Sequence, residues 1–166
     1  MMMKNSLRGI FAVGLVLLLV VAIVANMSAV LVIKTADRNS VFFIERATTK
    51  TEQTLGLMHR PHLAKGHGML FLFDDPLPVS FWMKHTKMPL AMIFFDADGR
   101  VVQVVAEALP CPDSIVNCPL YPSHQPVLAV LETNSSDLKD LLIQKGDQAY
   151  WFPSLQQWLS QGISEY

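Results

Sequence analysis

The chain has 166 residues, 13 of them basic and 14 acidic, with a hydrophobic share of 51%; this suits one domain plus an appendage and is short for two. That share is too apolar for an ordinary soluble domain, and the excess sits at the front. After residue 33 there remain 11 basic and 14 acidic side chains spread without blocks, which excludes the basic stripe that nucleic acid binding needs and a polybasic membrane patch.

Residues 10–33 form a chargeless run of 24, sixteen of them Ile, Leu, Val or Phe. As a helix such a run reaches about 36 Å against a hydrocarbon core of about 30 Å. It is read as an uncleaved signal-anchor. The alternative is a cleaved signal peptide, but a cut after Ala25 or Ala29 leaves Ile23 or Met27 at a position that prefers a small residue. Lys4 and Arg8 precede the run, while Lys34, Arg38, Arg46 and Lys50 follow it, so the positive-inside rule alone slightly favours the reverse orientation. The short leading tail and the two cysteines favour an extracytoplasmic domain.

Val41–Arg46 is rich in β-formers and reads as a strand. Thr49-Lys50-Thr51-Glu52 matches a capping box and opens a short helix to about Met58. Gly68–Phe73 is an apolar run of buried-strand type, closed by Asp74, Asp75 and Pro76. Residues 80–86 and 90–95 read as two strands with Pro89 at their junction. Asp96–Gly99 is a turn into a hairpin partner over Arg100–Ala108, expected to be covered on both faces. The loop 109–126 holds five prolines and both cysteines. Cys111 and Cys118, with six residues between them, are expected to form a disulfide, which persists only in an oxidising compartment. Val127–Glu132 is a further strand, Ser136 can cap a short helix over Asp137–Ile143, and Gln148–Phe152 is the last strand. Ser154 can cap an amphipathic turn or two carrying Leu155, Trp158 and Leu159.

The resulting map is a cytoplasmic tail over 1–9, a transmembrane anchor over 10–33, a linker over 34–40, a globular β-rich domain over 41–153 and a C-terminal amphipathic helix and tail over 154–166. The strands are linked mostly by turns, so the expected class is mainly β (α+β): a compact, mostly antiparallel sheet or partly closed barrel with two or three short helices.

Three ordered motifs stand out: Glu52…Gly56-Leu57-Met58-His59-Arg60, then Gly68-Met69-Leu70-Phe71, then Phe81-Trp82-Met83-Lys84-His85-Thr86 with Pro89-Leu90. With Asp98-Gly99, Val130-Leu131-Glu132 and Gly146-Asp147, they make residues 40–152 resemble the family called domain of unknown function 192, many of whose members begin with an export signal or anchor. The resemblance implies a compact β-rich fold and no particular reaction. Two positions depart from its usual pattern: His85 stands where Asn is usual, and Ala91 where Asp is usual. A mechanism resting on a carboxylate at 91 is therefore not expected of this chain.

The residues singled out for ligand binding are Arg60, which suits anions, Trp82 and Lys84, which share a strand face, and Glu132, which could pair with Arg60 or Lys84. Glu52 reads as the capping-box acid. His59, His62 and His67 with Met58 and Met69 could hold copper, but Pro61 breaks any helical face between the first two, so neither metal nor cofactor is expected. No hydrolase, zinc-protease or phosphate-loop motif is present, and no catalytic residue is assigned. The expected function is a membrane-tethered module on the extracytoplasmic side that binds a small ligand or an envelope partner. An envelope hydrolase using Arg60, Lys84 and Glu132 and a copper-binding protein are the alternatives; secretion after signal cleavage is the alternative localisation.

Overall fold

The computed structural model describes residues 29–112 and 114–154. Its first element corrects the sequence map. Ala29–Lys34 is strand β1, not the end of a helix or the start of a linker. It pairs antiparallel with β2 (Asn39–Ala47) on one side, with Ala29 opposite Ile44 and Lys34 opposite Asn39. On the other side it pairs with β9 (Gln148–Phe152). The expected linker 34–40 is instead the end of β1, the turn 35–38 and the start of β2, the turn closed by the Thr35 amide donating to the Arg38 carbonyl at 3.0 Å. Residues 29–33 are buried on both faces, and a fully apolar run of that kind looks the same in sequence whether it is a core strand or the end of a helix. The remainder of the expected anchor, the tail 1–9 and the amphipathic segment from Leu155 lie outside the described residues. No helix among the described residues is long and apolar enough to cross a membrane.

The remaining elements follow as α1 (Lys50–Leu55), β3 (His67–Leu77), β4 (Ser80–Trp82), β5 (Leu90–Phe95), β6 (Val101–Ala108), β7 (Leu120–Pro122), β8 (Val127–Asn134) and α2 (Ser135–Leu138). Seven strands make one sheet in the order β6-β5-β8-β3-β2-β1-β9, and β4 pairs with β7 in a separate ribbon. Every pairing is antiparallel except β2 with β3, which are parallel and joined through α1.

The sheet curls into a half-barrel whose edges meet at one end. There Arg100 bridges Gln148, and the Ala149 amide donates to the Gly99 carbonyl at 2.8 Å. Gly99 has φ +76°, and a Cβ on it would lie 2.6 Å from the Ala149 carbonyl oxygen, so this closure requires glycine.

The inner face is lined by Leu31, Ile33, Phe42, Leu70, Ile93, Phe95 and Leu131. The outer face of β3, β5 and β8 carries Met69, Phe71, Met92, Phe94 and Val130, covered by the loops that contribute Leu57, Met83 and Met88. β5 is buried at all six positions. β6, expected to be covered on both faces, is instead a half-buried edge strand.

Two helix ends differ from expectation. α1 stops at Leu55 with Gly56 at its C-cap, and α2 spans Ser135–Leu138 with Asn134 rather than Ser136 at its N-cap.

Candidate functional site

The outer face of the half-barrel is where polar and aromatic side chains gather. The capping box forms as read. The Glu52 carboxylate accepts from the Thr48 and Thr49 amides at 2.9 Å each, and the Thr49 hydroxyl accepts from the Glu52 amide. Those backbone donors hold Glu52 below the usual carboxylate range, so its role is structural. Gln53 ties the helix to the sheet by donating to the Leu72 carbonyl at 2.7 Å.

After Gly56 the chain turns sharply, and His59 takes φ +64°. Its ring stacks on His85, itself at φ +54°, with centroids 5.1 Å apart. The His59 amide donates to the His85 carbonyl at 2.9 Å. Two non-glycine residues in the left-handed region thus pin the loop after α1 to the loop after β4.

Arg60 extends both guanidinium nitrogens to the two carboxylate oxygens of Glu45 on β2, Nη2 at 2.7 Å from Oε2. The two-pronged hydrogen bond lowers the Glu45 pKa and raises that of Arg60. The pair is partly exposed, so it fixes the loop more than it stabilises the fold.

Trp82 ends β4 and is 46% exposed. The Lys84 ammonium lies 5.5 Å from its ring centroid, in cation–π range. Lys84 is bridged to Cys111, whose amide donates to the Met83 carbonyl at 3.1 Å. Cys111 is disulfide-bonded to Cys118, so the cross-linked loop buttresses the Trp82–Lys84 segment. Beside Trp82 runs an open groove of about 360 Å³, with Phe71, Phe73 and Phe81 among its walls and Lys50 at its α1 side. Phe81 holds its place edge-on to Phe71, with centroids 4.9 Å apart.

Glu132 sits deeper, on β8, directly opposite Met69 of β3 and Met92 of β5. It is 5% exposed, and burial pushes its carboxyl up to about 8. Gly68 lets the strands close here, since a Cβ on it would lie 2.6 Å from the Glu132 carbonyl oxygen.

Glu132 pairs with neither Arg60 nor Lys84. Arg60 is taken by Glu45, and that is the one acid–base ion pair among the described residues. Lys84 stands over Trp82. Of the four singled-out residues the structure therefore joins Trp82 and Lys84, and it places Arg60 and Glu132 in separate settings. The histidines do not cluster either: His59 stacks on His85 while His67 packs tilted against Phe43. No group of three or more His, Cys, Asp or Glu side chains among the described residues is placed to hold a metal. Ala91 lines the apolar inner face. Glu45, Phe71 and Phe73 were not anticipated at the site; the alternation of Phe43, Glu45 and Ala47 along β2 is the signal that would have put Glu45 on the outer face.

The family called domain of unknown function 192, described as an uncharacterized ACR, matches residues 31–151. The chain belongs to this family. The match begins within β1, in agreement with that strand being part of the domain. Two solved structures are similar. One is from Sinorhizobium meliloti 1021 and named provisionally as a transcription regulator, with 33% identity, a TM-score of 0.68 and coverage of 75% of this chain and 92% of that one. The other is a protein of unknown function from Novosphingobium aromaticivorans DSM 12444, with 36% identity, a TM-score of 0.67 and coverage of 74% and 84%. No curated protein matches.

Proposed function

We propose that this DUF192 protein is a non-enzymatic binding module, tethered on the extracytoplasmic side of a membrane, that takes an amphiphilic anion in the groove beside Trp82. The observation that carries the reading is a cation held over an exposed indole at the rim of an aromatic groove. Pockets for small ligands are largely apolar with a few fixed polar groups. Here Phe71, Phe73, Phe81 and Trp82 would receive the apolar body of the ligand, and Lys50 on the groove wall, with Lys84 against the Trp82 ring, its charge.

With residues 29–33 in the sheet, the chargeless run left for an anchor is 10–28, or 19 residues. As a helix that reaches about 28 Å, still close to the thickness of a hydrocarbon core. The Cys111–Cys118 bond supports an oxidising compartment. The regulator name of the Sinorhizobium relative finds little support in this chain, whose domain carries more acidic than basic side chains. The hydrolase alternative is weaker because Arg60 is engaged by Glu45 and Glu132 is not among the walls of the groove.

The test is a titration of the full chain in detergent with a naphthyl phosphate and its neutral alcohol, followed by tryptophan fluorescence and thermal shift. Saturable binding of the anion is expected, lost in Trp82→Ala and weakened in Lys84→Ala. Equal binding of the neutral alcohol, or no binding of either, contradicts the reading. Full-length protein in the soluble cytosolic fraction with both thiols reactive contradicts the compartment.

A further inference from the structure

The row of side chains crossing the outer face through Glu132 has a composition that packing does not require. Five methionines follow residue 28, and four of them, Met69, Met83, Met88 and Met92, lie in one buried cluster on the outer face. Glu132 shares that face, with Met69 and Met92 as its direct cross-strand partners on the two sides. Side chains directly opposite in antiparallel strands start about 4.5–5.5 Å apart at Cβ, so Met69, Glu132 and Met92 leave the sheet as neighbours in one row.

The carboxyl has no hydrogen-bond or ion-pair partner among the described residues, although Glu132 is 5% exposed. Buried polar groups are almost always paired, and one left unpaired calls for an explanation. Ser40 Oγ is the only sealed, partnerless side-chain oxygen or nitrogen among the described residues. The oxygens of Glu132 are therefore not fully sealed from solvent.

We infer that Met69, Glu132 and Met92 form a binding site for a soft monovalent metal ion, Cu(I) or its surrogate Ag(I). Thioether sulfur selects soft ions and disfavours Mg²⁺, Ca²⁺ and Mn²⁺. One carboxylate neutralises one monovalent charge, so the loaded site carries no net charge into an apolar core. A divalent ion there would leave a buried positive charge. The site is distinct from the histidine set of the loop, whose members the structure separates, and it is independent of the Trp82 groove. Methionine also serves as a flexible filler of cores; filler accounts for the four sulfurs but not for an unpaired acid set between two of them.

The test is a titration of the metal-free full chain in detergent with Ag(I) by calorimetry, and with Cu(I) anaerobically in competition with a chromophoric Cu(I) chelator. One ion per chain is expected. Glu132→Gln and the pair Met69→Leu/Met92→Leu should each weaken binding beyond the roughly 10–100-fold that loss of a supporting partner costs. Met58→Leu and His59→Gln, outside the row, should leave it unchanged. X-ray absorption of the loaded protein should show sulfur bound to copper. Absence of saturable binding, undiminished binding in the double leucine variant, or loss on His59→Gln overturns the site. Leu for Met conserves volume, so the leucine variants keep the test decisive if Glu132→Gln fails to fold.

Discussion

The two faces of the half-barrel are built from the same strands and packed to different ends. The inner face is aliphatic and aromatic, Leu31, Ile33, Phe42, Leu70, Ile93 and Phe95 meeting side by side. The outer face, one residue out of step on each strand, carries Glu45, Met69, Glu132 and Met92 in one row. Loops close over it, held by a disulfide, a stacked histidine pair and a two-pronged ion pair. Sheet alternation thus lets one set of strands hold the fold with every second residue and offer chemistry with the residues between.

If that division is right, truncating the inner face should have the largest effect. Phe42→Ala should cost about 3–5 kcal/mol in denaturant unfolding. A cost below about 1 kcal/mol would show that the inner face is not the main core.

Next in size is the pH dependence that Glu132 imposes on the metal-free protein. Its folded pKa is raised from 4.5 to about 8. Its contribution is fully present below about pH 4.5 and is lost as pH rises through 8, because the unfolded chain releases the proton first. The loss is on the order of 3–5 kcal/mol. Glu132→Gln should flatten the stability curve between pH 5 and 8, and an unchanged slope in that variant would remove Glu132 as its source.

Replacing both cysteines by serine opens the loop 111–118 at a cost of about 2–3 kcal/mol. It should weaken ligand binding at Trp82 while the far-ultraviolet signature of the sheet stays. Met92→Leu should cost less than about 1.5 kcal/mol, so that the outer row loses metal binding without losing the fold. The smallest effect belongs to the Arg60–Glu45 pair. Glu45→Gln should cost under about 1 kcal/mol at neutral pH, and that cost should fade as pH falls through the lowered folded pKa of Glu45, since a depressed pKa contributes fully above the unfolded value and is lost on the way down through the folded one.

What sequence made legible was local. The capping box of Thr49 and Glu52, the turn at Asp96–Gly99 and the cysteine pair each follow from residues a few positions apart, and each formed. β1 was hidden because Ala29–Ile33 continues a chargeless run and is buried on both sides, leaving no alternation to read. β7 was hidden because it lies in a proline-rich loop and pairs only with β4. Trp82 and Lys84 could be joined from sequence because they are two apart on one extended segment. Arg60 could not be matched to Glu45, fifteen residues back on a strand whose neighbours only the fold reveals. The Met69–Glu132–Met92 row spans three strands distant in the chain, and its register is a property of the closed sheet.

The division between the faces is tested most directly by the ionisation of Glu132 itself. In metal-free full-length protein labelled with ¹³C at the glutamate side-chain carboxyls and assigned with Glu132→Gln, the Glu132 resonance should titrate near pH 8. A midpoint near the ordinary 4.5 would mean that this carboxyl is solvated or paired, and would contradict a buried, unpartnered acid on the outer face.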